Sequence, residues 1–128
     1  TQNKPDNKTG KLIHWLRKNP KNNKSTHFSK ETANTKKAIL NYKILKTLDN
    51  YYLLEIKMES GRHHQIRCQL QAIGCPIKGD IKYGSKRTNK DGSIDLHARN
   101  LQLIHPVTKK EIDITAPVRD EKIWKSCI

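Results

Sequence analysis

The chain has 128 residues, 34% of them apolar and 5% aromatic, which fits one domain with a thin core and a heavily solvated surface. Twenty-six Lys and Arg against twelve Asp and Glu give a formal charge of +14, a balance that attracts a polyanion, and a nucleic-acid backbone is the usual one. No apolar run reaches the roughly twenty residues of a membrane span, no signal peptide is visible, and no long apolar helical face accompanies the basic residues, so a membrane partner is not expected.

Residues 1–37 are polar and rich in Asn and Lys, apart from the patch Leu12-Ile13-His14-Trp15-Leu16. This segment is expected to be loop-rich and basic, with the patch as a strand or one helical turn docked on something else. The stretch from Pro20 to Lys24 reads as a loop. The folded domain is expected over 38–128. Branched and aromatic residues fill Ile39 to Leu48 and Tyr51 to Met58, and Asp49-Asn50 between them is turn chemistry, which predicts a β-hairpin. In its second arm Leu54, Ile56 and Met58 alternate with Glu55 and Lys57, placing the first set inward.

After Ser60-Gly61 the period changes. Ile66, Leu70 and Ile73 fall at helical spacing and Gly74 and Pro76 close the run, predicting a short amphipathic helix over about residues 63–73. From Ile81 to Asp95 a basic, glycine-punctuated loop carries Lys82, Lys86, Arg87 and Lys90. Leu101 and Leu103, then Ile112 and Ile114, predict two more strands, and Asp120 to Lys125 a final helical turn with Trp124 packed inward. The fold class is therefore α+β with a mostly antiparallel sheet and no internal repeat.

The densest polar cluster is Gly61-Arg62-His63-His64-Gln65-Ile66-Arg67, at the predicted strand-to-helix turn. Donors on Arg62, His63, His64 and Gln65 there can converge on an anion, with Ile66 anchoring the helix below and the helix N-terminus adding to the field. A helix cap with solvated basic residues is the plain structural alternative. The three cysteines, Cys68, Cys75 and Cys127, lack the density of a disulfide framework and point to a reducing cytosol. His63, His64, Cys68 and Cys75 lie close in sequence, but their spacing matches no structural zinc pattern, and no metal is expected. Nothing marks either cysteine as an activated nucleophile.

Together with Ile73-Gly74-Cys75-Pro76-Ile77, Gly79-Asp80-Ile81-Lys82-Tyr83-Gly84, Leu96-His97-Ala98, His105-Pro106 and the closing Ala116-Pro117 and Trp124, that cluster resembles the ordered C-terminal motifs of RluA-type pseudouridine synthases. The resemblance covers roughly Ala38 to Trp124. It implies an enzyme that isomerises uridine to pseudouridine in ribosomal or transfer RNA without cofactor or metal. An aspartate attacks the nucleoside, the base is detached and turned, and a carbon–carbon bond forms at C5.

By motif position, the resemblance makes Arg67 the basic residue that pairs with this aspartate. The polar cluster and the basic loop give Arg62, His63, His64, Gln65, Lys82, Lys86 and Arg87 as the expected RNA-contacting set, and the motifs give Gly61, Gly79, Asp80, Tyr83, Gly84, His97 and His105 as structural residues. An arginine beside a carboxylate lowers its pKa and holds it ionised and oriented. The family's His-Arg-Leu-Asp-Arg motif does not occur in this sequence, nor does its Lys-x-Tyr tyrosine, and the first residue is Thr1. The expectation is therefore the C-terminal half of a catalytic domain, inactive without its N-terminal half and monomeric when complete. Asp80, in a Gly-Asp-x-x-Tyr-Gly setting, is expected to cap backbone amides in a turn rather than substitute as nucleophile. His97 and His105 are expected to be buried and hydrogen-bonded. The competing reading is a non-catalytic RNA-binding module.

Overall fold

The computed structural model describes residues 1–127 and separates into two compact units, one spanning Thr1–Asp95 and one beginning at Leu96. The first contains strands β1 (Thr9–Asn19), β2 (Lys24–Phe28), β3 (Lys36–Thr47) and β4 (Tyr52–Met58), helix α1 (Gln65–Ala72) and a 3-10 turn at Ile81–Tyr83. Its four strands form one antiparallel sheet in the order β2-β1-β3-β4. The second unit holds an antiparallel pair, β5 (Asn100–Ile104) and β6 (Glu111–Thr115), and a short helix, α2 (Lys122–Lys125). This is the α+β, mostly antiparallel architecture that the sequence predicts, but the boundary between units falls after Asp95 rather than near residue 37.

The segment 1–37 departs from its loop-rich expectation, because β1 and β2 occupy much of it. Period-two burial runs through Gly10, Leu12, His14 and Leu16, and these face Tyr42, Leu40, Ala38 and Lys36 across the β1–β3 ladder. Glycine and histidine at two inward positions conceal the alternation from a hydropathy pattern. Gly10 is required by packing: the Tyr42 ring crosses it so closely that a Cβ there would lie 2.5 Å from Cε1. The β1–β2 turn is built by asparagines. Asn19 and Asn22 side chains accept from the backbone N–H groups of Lys21 and Lys24, and Asn23 takes the left-handed conformation at φ 51°.

The predicted second hairpin is β3–β4. Ala38, Leu40, Tyr42 and Ile44 of β3 alternate inward and are buried, after which a bulge between Ile44 and Lys46 turns Leu45 out to solvent. Met58, expected inward, is 53% exposed at the end of the edge strand β4.

Helix α1 buries Leu70 as predicted but otherwise a more polar face than expected. Gln65, Cys68, Gln69 and Leu70 are its buried residues, whereas Ile66 and Ile73 are only half-buried. Hydrogen bonds to the sheet explain this polar choice. Gln69 Nε2 lies 3.2 Å from the carbonyls of both Leu12 and Ala38 and 3.0 Å from His14 Nδ1, tying α1 to β1 and β3. Beside these contacts Leu16, Ala38, Cys68 and Tyr83 pack into one buried cluster.

In the second unit none of the described residues is buried. His105 is half-buried rather than buried, and its Nδ1 accepts the N–H groups of Val107 and Thr108, capping the β5–β6 turn. His97, also half-buried, has Nε2 at 3.3 Å from the Ala116 carbonyl, with its ring 5.7 Å from a half-buried Trp124.

Candidate active site

The link from β4 to α1 sets the direction of the helix. His64 precedes the first helical residue in the left-handed conformation, φ 51°, and Gln65 fastens the turn behind it. The Gln65 carbonyl oxygen accepts from Ser60 Oγ and the Arg62 N–H at 2.9 Å each, while its amide donates to the Ile39 carbonyl at 3.0 Å. Arg67 then projects toward the Gly79-Asp80 turn. Gly79, at φ 88°, lies against Asn89 and the Ser93 carbonyl, where any Cβ would collide at 2.7 Å. Lys78 braces the same turn through Asn89 Oδ1 at 2.7 Å and Asp95 at 3.2 Å.

Arg67 and Asp80 meet in a two-pronged ion pair. Nε donates to Oδ2 and Nη2 to Oδ1, both at 2.8 Å. The Asp80 side chain is 1% exposed and that of Arg67 20%. This corrects the sequence expectation for Asp80: its side chain caps no amide, and its backbone carbonyl does that work instead, accepting from Tyr83 and Ser85. Arginine reached this carboxylate because the helix and the glycine turn bring positions 67 and 80 together, a proximity that a linear motif does not reveal.

Tyr83 and His64 complete the surroundings of the guanidinium. The Arg67 Cζ lies 4.8 Å from the centre of the fully buried Tyr83 ring, and Nη1 is 3.3 Å from His64 Nε2. Since Nη1 can only donate, His64 Nε2 accepts and Nδ1 carries the ring proton, which it donates to the Tyr83 hydroxyl at 2.7 Å. The Ser25 N–H donates to that hydroxyl at 2.9 Å. Burial, then the charge of Arg67, with smaller contributions from His63 and Lys82, pushes the His64 pKa down to about 4, so the ring is neutral near pH 7. Hydrogen bonding to Asp80 raises the Arg67 pKa, and burial raises that of Tyr83. Burial also pushes the Cys68 thiol up to about 11, and its Sγ points to the Ser25 carbonyl at 3.5 Å, the environment of an inert structural cysteine.

The expected RNA-contacting residues do not all share one place. His63 stacks on His64 at 3.8 Å and sits between Ser25 Oγ and Asn23 Oδ1, its pKa lowered first by burial and then by Lys18, Lys82 and Arg67. Lys82 therefore belongs to the cationic surroundings of both histidines, and Lys18 to those of His63; Lys24 lies 5.5 Å from the Tyr83 ring. Arg62 is exposed and donates to the Lys37 carbonyl. Gln65 is 2% exposed with its amide committed to the turn, so it is a structural residue and cannot serve RNA. Lys86 and Arg87 are exposed, and Arg87 lines a small cleft with Tyr51, Lys78 and Asn89. Gly61 has open space around it. The sequence reading did not single out Lys18, Asn23, Lys24 or Ser25, which look like ordinary turn residues until the β1–β2 turn is placed beside α1.

The sequence profile of the RNA pseudouridylate synthase family matches residues 1–72. The chain belongs to that family. The match begins well before residue 38, so the β1–β2 hairpin is part of the family domain, and it ends beyond Arg67. Among curated relatives, ribosomal large subunit pseudouridine synthase C of Rickettsia typhi is 42% identical over 88 residues, which is 67% of this chain and 29% of that protein. Ribosomal large subunit pseudouridine synthase D of Haemophilus influenzae is 35% identical over 99 residues, 67% of this chain and 31% of that one. The chain thus spans less than a third of the length of these relatives. Human RNA pseudouridylate synthase domain containing 1 shares the fold of this pseudouridylate synthase family member, with a TM-score of 0.72 at 20% identity over 95% of this chain and 53% of that one.

Proposed function

We propose that this chain supplies the arginine side of a pseudouridine synthase active site acting on a uridine of ribosomal or transfer RNA. Arg67 would pair with a nucleophilic aspartate contributed from outside this sequence. The observation that carries the reading is the state of the Arg67 guanidinium. It stands at the arginine position of the family motif, fixed by Asp80, Tyr83 and His64, while Nη1 and Nη2 each retain one further N–H for another acceptor. A carboxylate meeting that edge would stay ionised at neutral pH and be held in one orientation, which a nucleophile requires.

The cations nearby fit the other requirement. Lys18, Lys82 and Arg67 surround the His63–His64 pair and offer an electropositive field to the phosphates flanking a target uridine. Arg67→Ala in the full-length protein is the test. Conversion of uridine, followed by mass spectrometry of the RNA, should be abolished while RNA affinity changes less than about twofold. If the substitution instead leaves conversion intact, or weakens binding with a salt slope lower by about one, Arg67 is a phosphate contact and the chain is an RNA-binding module.

A further inference from the structure

The Asp80 carboxylate is buried at 1% exposure. Burying a carboxylate is costly unless it is paired and hydrogen-bonded. Among the described residues Arg67 alone engages both oxygens, through Nε and Nη2. The turn beneath is rigidly framed: Gly79 packs on Asn89 with no room for a side chain, Lys78 holds Asn89 and Asp95, and the Asp95 N–H returns to the Lys78 carbonyl.

We propose that Asp80 is a positioning residue, clamping the Nε–Nη2 side of the Arg67 guanidinium so that the adjacent Nη1–Nη2 edge is presented to the nucleophilic carboxylate. This rests on the assignment of Arg67 made above. A guanidinium suits the task because it is planar and has two edges, so one cation can bridge two carboxylates, one structural and one reactive; an ammonium has no such geometry. Tyr83 provides the flat floor at 4.8 Å, and neutral His64 accepts from Nη1 without adding a second positive charge. The arginine side chain loses its rotamer freedom on folding rather than during the reaction, which is the condition for a preorganised site. The same geometry explains why Asp80 is no nucleophile itself: both of its oxygens face the arginine inside the protein.

The experiment uses the full-length enzyme with Asp80→Asn, which keeps the size of the side chain and removes its charge. The single-turnover rate should fall about 100-fold, as expected when a catalytic cation is misplaced by an ångström or so, while RNA affinity and a cooperative thermal transition are retained. In an Arg67→Lys background, which keeps a charge at the site, adding Asp80→Asn should lower the rate by less than it does in the wild type, because Asp80 acts only through Arg67. A rate within threefold of wild type, or a full additional loss on top of Arg67→Lys, overturns the proposal. Should Asp80→Asn not fold, Asp80→Glu replaces it: the charge stays but the carboxylate moves by one methylene, so a loss of about tenfold or more supports the clamp and an unchanged rate overturns it. An Arg67→Ala enzyme that still turns over would instead remove the assignment of Arg67, separately from the role of Asp80.

Discussion

His64 is the residue at which fold and chemistry constrain each other most closely. Its backbone holds the left-handed turn that starts α1, and its ring must be neutral to accept from Arg67 and donate to Tyr83. With a folded pKa of about 4 against an ordinary 6.5, the ring refuses a proton that the unfolded chain accepts throughout that interval. Stability from this group is therefore complete above pH 6.5 and is lost as the pH falls toward 4. His14, lowered by burial and by His27, acts in the same direction. Replacing His64 with asparagine, which tolerates left-handed backbone, removes one titrating group and keeps the turn. Thermal denaturation followed by circular dichroism should show a lower melting temperature than wild type at pH 7 but a shallower decline between pH 6.5 and 4. A decline as steep as that of the wild type would mean that His64 carries none of the linkage.

At the scale of elements, the polar interior face of α1 is the feature that decides how the helix docks. Gln69 is fully buried, and its amide reaches two backbone carbonyls and His14, so an apolar replacement leaves acceptors without a donor. Gln69→Met, which roughly conserves volume, should cost about 1–3 kcal/mol in urea denaturation, the penalty for buried groups deprived of a partner. A neutral or stabilising result would show that apolar packing, not the amide, holds α1 to β1 and β3. The same helix shows where sequence reasoning reaches its limit. Periodicity located α1 and its buried Leu70 but also placed Ile66 and Ile73 inward, since hydropathy cannot foresee glutamines that find backbone partners on a sheet. The β3–β4 hairpin was legible because branched and aromatic residues fill both arms and Asp49-Asn50 between them is turn chemistry. The β1–β2 hairpin was not, because half of its inward positions are Gly10 and His14, whose fitness depends on Tyr42, Ala38 and Gln69 in other elements. Arg67 was singled out through its motif, whereas its contact with Asp80 required the fold to bring the helix and the glycine turn together.

For the molecule as a whole, stability is unevenly distributed between the two units. The first buries an unbroken alternation along β3, covered on one side by α1, with β1 and β4 as hydrogen-bonded neighbours. In the second, β5 is exposed along its entire length, and Leu101, Ile104 and Ile114 are each more than half exposed. A two-stranded hairpin with so little apolar surface removed from water is marginal by itself, because the conformational entropy of ordering it is offset by little else. Its cross-strand hydrogen bonds should therefore open locally, without global unfolding. Native-state hydrogen exchange of this chain, read amide by amide, should find the ladder amides of β5 and β6 exchanging on the order of 100-fold faster than those of Leu40 and Tyr42 in β3. Equal protection in the two units would mean that the hairpin opens only when the whole chain does, and that its stability comes from more than its own two strands.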